Sequence, residues 1–173
     1  MAKYLLMLLV SFLFVEGAFA QKVYESRDEI PAEFKWSLND IYSNWSDWEN
    51  DMTKIKSMMD EIVSYKGKLK QSSENLLAVQ KLNDELGILS YKVYRYPQLM
   101  RDLDTRDQQV GAKLQKVQSM FAEFGVATSW INPEMLEIPW DTMKKWLDEN
   151  SAFNPYRFGI EDLFRQQKHV LTS

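Results

Sequence analysis

The stretch Trp45-Ser46-Asp47-Trp48-Glu49-Asn50-Asp51-Met52-Thr53-Lys54-Ile55-Lys56-Ser57-Met58-Met59-Asp60-Glu61-Ile62 decides the fold class. Its apolar residues Trp45, Trp48, Met52, Ile55, Met59 and Ile62 follow one another at spacings of 3, 4, 3, 4 and 3. On a helix of about 3.6 residues per turn these positions form a single stripe, whereas the alternation of a strand scatters them over both faces. Ser43 or Ser46 is placed to cap this helix, and Gly67 marks its end.

Downstream the pattern repeats. A second segment opens at Ser72-Ser73-Glu74 and carries Leu76, Val79, Leu82, Leu86, Leu89, Val93 and Tyr96 at helical spacing. Pro97 is expected to end or kink it, because proline offers no backbone N–H. A third stripe follows Thr105, with Val110, Leu114, Val117, Phe121 and Phe124 spaced 4, 3, 4 and 3. It is expected to end before Asn132-Pro133, where proline pushes its predecessor out of the helical region. Three shorter helices complete the reading. One starts around Pro133 and runs through Leu136. The next opens at Pro139 and carries Trp140, Met143, Trp146 and Leu147 to Asn150, and a last one runs from Asn154-Pro155 through Phe158, Leu163 and Phe164. The first and third stripes cover only about two heptads, short of the three to four that argue a coiled coil. The sequence therefore predicts an all-α fold, an antiparallel helical bundle of hairpins. Trp48, Ile55, Met59, Leu86, Leu114, Val117 and Phe121 are its expected core. Upstream, residues 21–42 read as a lead-in broken at Pro31 and anchored by Trp36, Leu38, Ile41 and Tyr42.

The N-terminus has a different character. Lys3 precedes the apolar run Leu5–Val15, and Gly17-Ala18-Phe19-Ala20 offers small residues ahead of Gln21. Residues 1–20 read as a signal peptide cut after Ala20. Glu16 interrupts the run well short of the ~20 apolar residues a spanning helix needs, so no stable membrane span is expected after cleavage. The mature domain, residues 21–173, is expected to be exported, periplasmic or extracellular. It has enough chain for one hydrophobic core.

Composition removes most chemistry. With 21 Lys and Arg against 25 Asp and Glu, the net charge is −4, which argues against nucleic acid as a partner. Hydrophobic residues at 45% and aromatics at 13% exclude wholesale disorder. No Cys means no disulfide, thiolate metal site or cysteine nucleophile, and a single His excludes any site built on two. That residue, His169, reads as a surface or helix-end histidine beside Lys168. Asp102, Asp104 and Asp107 form an acidic cluster without calcium-loop spacing, and helix-start carboxylates account for Asp104 and Asp107. Glu161 and Asp162 with Arg157, Arg165 and Lys168 are spaced as ordinary surface pairs, although Arg157 could instead face a peptide carboxylate. The aromatic side chains at 45, 48, 91, 94, 96, 130, 140 and 146 suit a core more readily than a peptide groove. From the residues alone, no catalytic, cofactor-binding or metal residue is assigned.

Specific strings add a family. Ser26-Arg27-Asp28-Glu29-Ile30-Pro31 with Lys35-Trp36-Ser37-Leu38-Asn39-Asp40-Ile41-Tyr42 resembles the opening of oligoendopeptidase F. Tyr65-Lys66-Gly67-Lys68-Leu69 resembles that family's next marker, and Tyr91–Asp104 resembles its tyrosine-rich helix end and acidic turn. Trp130-Ile131-Asn132-Pro133-Glu134 is similar to its following link. The stretch from Pro155 to Arg165 with Lys168-His169-Val170-Leu171 resembles its Tyr-Arg and Lys-x-His-x-Leu segment. The resemblance implies the N-terminal helical lobe of a zinc metallopeptidase that cuts short peptides in a deep cleft. It also implies that the zinc ligands, an H-E-x-x-H helix and a downstream Glu, lie beyond the matched region. None has a counterpart here, so the chain, ending at Ser173, is expected to be truncated before the zinc site and inactive alone, with no cofactor of its own. Exposed interface should then favour self-association. The alternative reading is a standalone exported module that binds peptides or a protein without catalysis.

Overall fold

The computed structural model describes residues 23–167 and divides the chain into two units, Met1–Ser37 and Leu38–Ser173. The leader and the Lys168–Leu171 string, with His169, lie outside the described residues.

In the first unit, two short 3-10 turns, Arg27–Glu29 and Ala32–Phe34, flank Pro31. Glu29 reaches back to accept from the Glu25 amide and the Ser26 hydroxyl, both at 3.2 Å. Lys35 donates to the Asp28 carbonyl at 3.2 Å. Trp36 was expected to anchor this lead-in but is 67% exposed; in this unit its carbonyl, accepting from Arg27 at 3.4 Å, makes the connection.

The second unit holds six α-helices and, among the described residues, no strand: α1 Trp45–Ser64, α2 Ser73–Leu103, α3 Gln108–Thr128, α4 Ile131–Leu136, α5 Trp140–Glu149 and α6 Arg157–Arg165. The all-α expectation holds. Chain direction follows from pairs across the bundle. Trp48 at the start of α1 meets Val93 near the end of α2, while Glu49 pairs with Lys113 at the start of α3 at 3.1 Å. The long helices therefore run up, down and up, as short connections require. Their apolar stripes converge on Ile55, Met59 and Ile62 from α1, Leu76, Val79, Leu86 and Val93 from α2, and Val117 and Met120 from α3. Met143, Leu147, Phe153 and Ile160 extend the same core beneath the short helices.

Three local outcomes differ from the sequence pattern. Asn44, rather than Ser43 or Ser46, caps α1, its side-chain oxygen accepting from the Asp47 amide at 3.0 Å. Pro97 does not end α2, which continues to Leu103. The carbonyl that would have received an N–H from position 97 belongs to Val93, four residues back. The buried indole N–H of Trp48 donates to that oxygen at 2.8 Å, so a neighbouring helix supplies the donor that proline lacks. Third, α3 ends at Thr128, before Asn132-Pro133 as expected, but α4 then starts at Ile131, so Asn132 is helical despite the proline that follows it.

Core membership is corrected in part. Trp48, Ile55, Leu86 and Val117 are fully buried and Met59 nearly so, but Phe121 is only half-buried. Leu114 is half-buried and stands outside the core cluster. Leu38 and Tyr42 are buried as expected, with Ile41 partly buried against the core cluster. The Tyr42 hydroxyl donates to Asp51 at 2.7 Å, and Lys92 sits 3.3 Å from the same carboxylate and 4.1 Å above the tyrosine ring. Burial first, then the Asp51 carboxylate, raises the Tyr42 hydroxyl above the ordinary phenol range. Among the described residues, no helix is long and apolar enough to cross a membrane.

Candidate functional site

Two sequence strings meet at one buried carboxylate. The chain leaves α1 through Tyr65-Lys66-Gly67-Lys68-Leu69, where Gly67 takes φ +81°, a left-handed conformation that only glycine adopts cheaply. Glu134, on α4 and 8% exposed, accepts from the Gly67 amide and the Leu69 amide, each at 2.7 Å. Asn75 completes the turn by donating to the Lys68 carbonyl at 3.0 Å. A buried carboxylate here is held by two charge-assisted hydrogen bonds. Both oxygens are engaged with backbone, so Glu134 positions this turn and is not free to act as a base.

Beside this staple lies a cleft of about 530 Å³ between α2, the end of α3, α4 and α6. Gln80 and Asn83 enter it from one face of α2, Thr128 and Ser129 from the end of α3, and Asn132 from α4. Its apolar surface is formed by Ile131, Met135, Ile160 and Leu163. Tyr156 and Gly159 line the α6 side. Burial, a hydrogen bond to Asp84 and the charges of Asp84 and Glu85 together raise the Tyr156 hydroxyl above its usual range. No lining side chain carries a formal charge. The arrangement can bind a neutral polar ligand, and it offers neither a nucleophile with a base nor a metal-binding set.

The other candidates take structural roles. Asp107 caps α3, accepting from the Gln109 and Val110 amides at 2.9 and 3.0 Å. Asp104 is occupied by Arg106, whose hydrogen bonds lower its carboxyl to about 2. The acidic cluster thus makes a turn and a helix start. Among the described residues, no three His, Cys, Asp or Glu side chains are grouped to hold a metal ion, so the residues on view do not fit the zinc implied by the family. Arg157 donates to Asp148 at 2.9 Å, to the Leu147 carbonyl and to Glu161 at 3.2 Å, which ties α6 to the end of α5 and leaves it no role with a peptide carboxylate. Asp162 pairs with Arg165.

The aromatic residues divide. Trp48, Tyr96 and Trp130 are buried, and Trp45 stacks edge-on with Trp48 and Tyr96 at centroid distances of 5.5 and 4.8 Å. Tyr91 and Trp140 stand exposed. Neither lines the cleft. Sequence reasoning missed Gln80 and Asn83, whose only signal is a polar pair three apart beside an apolar stripe. Asn132 is legible as a helix boundary and Tyr156 only within the stretch from Pro155 to Arg165.

Comparison with known proteins converges on one group. The family model described as Oligopeptidase F matches residues 134–173. A plasmid-encoded oligoendopeptidase F of Lactococcus lactis subsp. cremoris is 30% identical over 149 residues, 86% of this chain and 25% of the relative. The oligopeptidase PepF of Bacillus subtilis is 26% identical over 84% of this chain and 22% of its own length. In three dimensions, a solved chain from Chlamydophila abortus assigned as a peptidase superposes with a TM-score of 0.72 at 25% identity, over 85% of this chain and 25% of that one. An oligoendopeptidase-F from Enterococcus faecium superposes with a TM-score of 0.65 at 22% identity, over 75% and 26%, which shows the shared fold. The chain thus spans about a quarter of the length of the relatives it matches.

Proposed function

We propose, for a chain that is an N-terminal helical region of the oligoendopeptidase F type, that it forms the lobe walling one side of a peptidase's substrate cleft. The substrates in this reading are short peptides, the protein is exported, and hydrolysis needs residues this chain does not contain. The observation that carries it is similarity along 86% of the chain to one quarter of an oligoendopeptidase F. Two of the strings that carry the family resemblance also meet at Glu134 in this chain, which supports reading them as parts of one local structure.

The chemistry supports a role short of catalysis. Zinc peptidases use three protein ligands and leave one position open for a water whose pKa the metal lowers to about 7. One imidazole and no thiolate cannot supply the paired histidines of that arrangement. The test is turnover of a quenched fluorescent peptide by the pure 173-residue chain with added zinc, beside a His169→Ala variant. The expected result is no chelator-sensitive turnover. Turnover that chelator abolishes and His169→Ala removes would overturn the reading. Export is checked separately: mass spectrometry of the exported protein should find Gln21, cyclised or not, at its N-terminus, and an intact Met1 would refute it. Exposed Ile88, Val126 and Phe158, at 73%, 76% and 75%, favour self-association of the isolated chain, which sedimentation would register as concentration-dependent mass.

A further inference from the structure

Another cleft, about 440 Å³ between α1 and α3, is rimmed by Glu49, Lys56, Lys116 and Glu123, charges of both signs that select no ligand. The cleft beside Glu134 is different. At about 530 Å³ it falls in the range of sites that enclose small ligands, roughly 300–1,000 Å³. Half-buried Asn83 and exposed Asn132 both line it, and among the described residues neither side chain makes a hydrogen bond within the protein, so both remain open to water or a ligand. Each offers two N–H donors and a carbonyl acceptor, the complement of a peptide unit. The Thr128 and Ser129 hydroxyls donate to the Phe124 and Val126 carbonyls at 2.9 and 3.0 Å, which leaves their oxygens to accept.

Gly159 lines the same cleft. It is the third residue of α6, in the first turn. A Cβ built on it meets nothing within 4 Å, as at Gly87 and Gly125 elsewhere, so packing against the protein does not require its absence. A side chain there would occupy the space a ligand needs. The missing side chain keeps that wall low.

We propose that this cleft is a peptide-binding subsite, in which Asn83 and Asn132 pair with the main-chain amides of an extended neutral segment and one aliphatic side chain lies against half-buried Leu163, over a floor of buried Ile131, Met135 and Ile160. The assignment rests on the lobe reading above and adds where on this lobe peptide is held. Asp84 and Glu85 beside Tyr156 make an anionic ligand unfavourable, so a mid-chain segment suits the cleft better than a carboxyl terminus. A single aromatic ring with aliphatic neighbours suits a peptide better than a sugar, which prefers rings to stack on.

The experiment titrates the 173-residue chain with the blocked peptide acetyl-Ala-Leu-Ala-Ala-amide and follows 15N-edited NMR spectra. Saturable shifts are expected at the side-chain amides of Asn83 and Asn132 and at the Gly159 backbone amide. Asn83→Ala and Asn132→Ala should each weaken binding about 3- to 10-fold, the range one hydrogen bond gives. Gly159→Leu should weaken it more than about 10-fold while its thermal unfolding stays at or above that of the parent, which shows an intact fold. A Glu in place of the peptide's Leu should weaken binding as strongly. No saturable shift, binding that Gly159→Leu leaves unchanged, or binding of maltotriose in place of the peptide would each overturn the subsite. Peptide mapped to another surface sinks the subsite and leaves the lobe reading in place, whereas zinc-dependent turnover by the isolated chain sinks the lobe reading wherever peptide sits.

Discussion

Replacing Trp48 by Phe tests how α2 tolerates a proline. Trp48 is fully buried, and its indole N–H reaches the Val93 carbonyl at 2.8 Å, the acceptor left free because Pro97 has no N–H. Trp48→Phe removes that donor and strands a buried carbonyl, which costs about 1–3 kcal/mol. The smaller ring adds a packing loss of similar size, so a total of about 2–4 kcal/mol is expected. The decisive arm is Pro97→Ala. It restores a backbone N–H four residues after Val93, so the carbonyl keeps a partner when the indole is gone. Trp48→Phe in that background should cost about 1–2 kcal/mol less than in the parent. The loss of the buried proline ring occurs in both arms and cancels from the coupling. Urea unfolding followed by far-ultraviolet circular dichroism measures all four proteins without relying on the deleted fluorophore. Additive effects, within about 0.5 kcal/mol, would refute the idea that Trp48 stands in for the missing donor.

Three further outcomes follow from the packing and charges. Glu134→Gln sets an NH2 group against one of the Gly67 and Leu69 amides and should cost about 1–3 kcal/mol in urea unfolding, with faster hydrogen exchange at Leu69; a change below about 0.5 kcal/mol would remove the staple from the account. Leu86→Ala should cost about 2–5 kcal/mol because the side chain is fully buried, while Leu114→Ala, half-buried outside the core cluster, should cost clearly less; equal losses would restore Leu114 to the core. The Asp104 carboxyl should titrate near 2 by NMR, and Arg106→Gln should return it toward the ordinary carboxylate range. Because the folded-state value is depressed, its contribution to stability is present above the unfolded value near 4 and fades as pH falls toward 2; an unshifted Asp104 would break the pairing.

Helix content and order follow from spacing alone, since a stripe at 3 and 4 residues can be buried only on a helix. The strings Tyr65–Leu69 and Trp130–Glu134, two of the ordered set that carries the family resemblance, contain the residues that the turn and its staple use. What spacing could not determine is which residues of a stripe face the deepest layer. Leu114 and Val117 share one stripe, yet only Val117 is fully buried, because neighbouring helices decide how far each turn is covered. The fate of Pro97 was equally undecidable, since the donor to Val93 comes from 45 residues away on another helix. The cleft is tertiary for the same reason: α2, the end of α3 and α4 each bring one or two neutral polar side chains that local patterning treats as surface, and Tyr156 with α6 closes the remaining side. A sequence records each residue's own hydrogen-bonding capacity, while the partner that satisfies it, or leaves it open for a ligand, is set by which helices pack together.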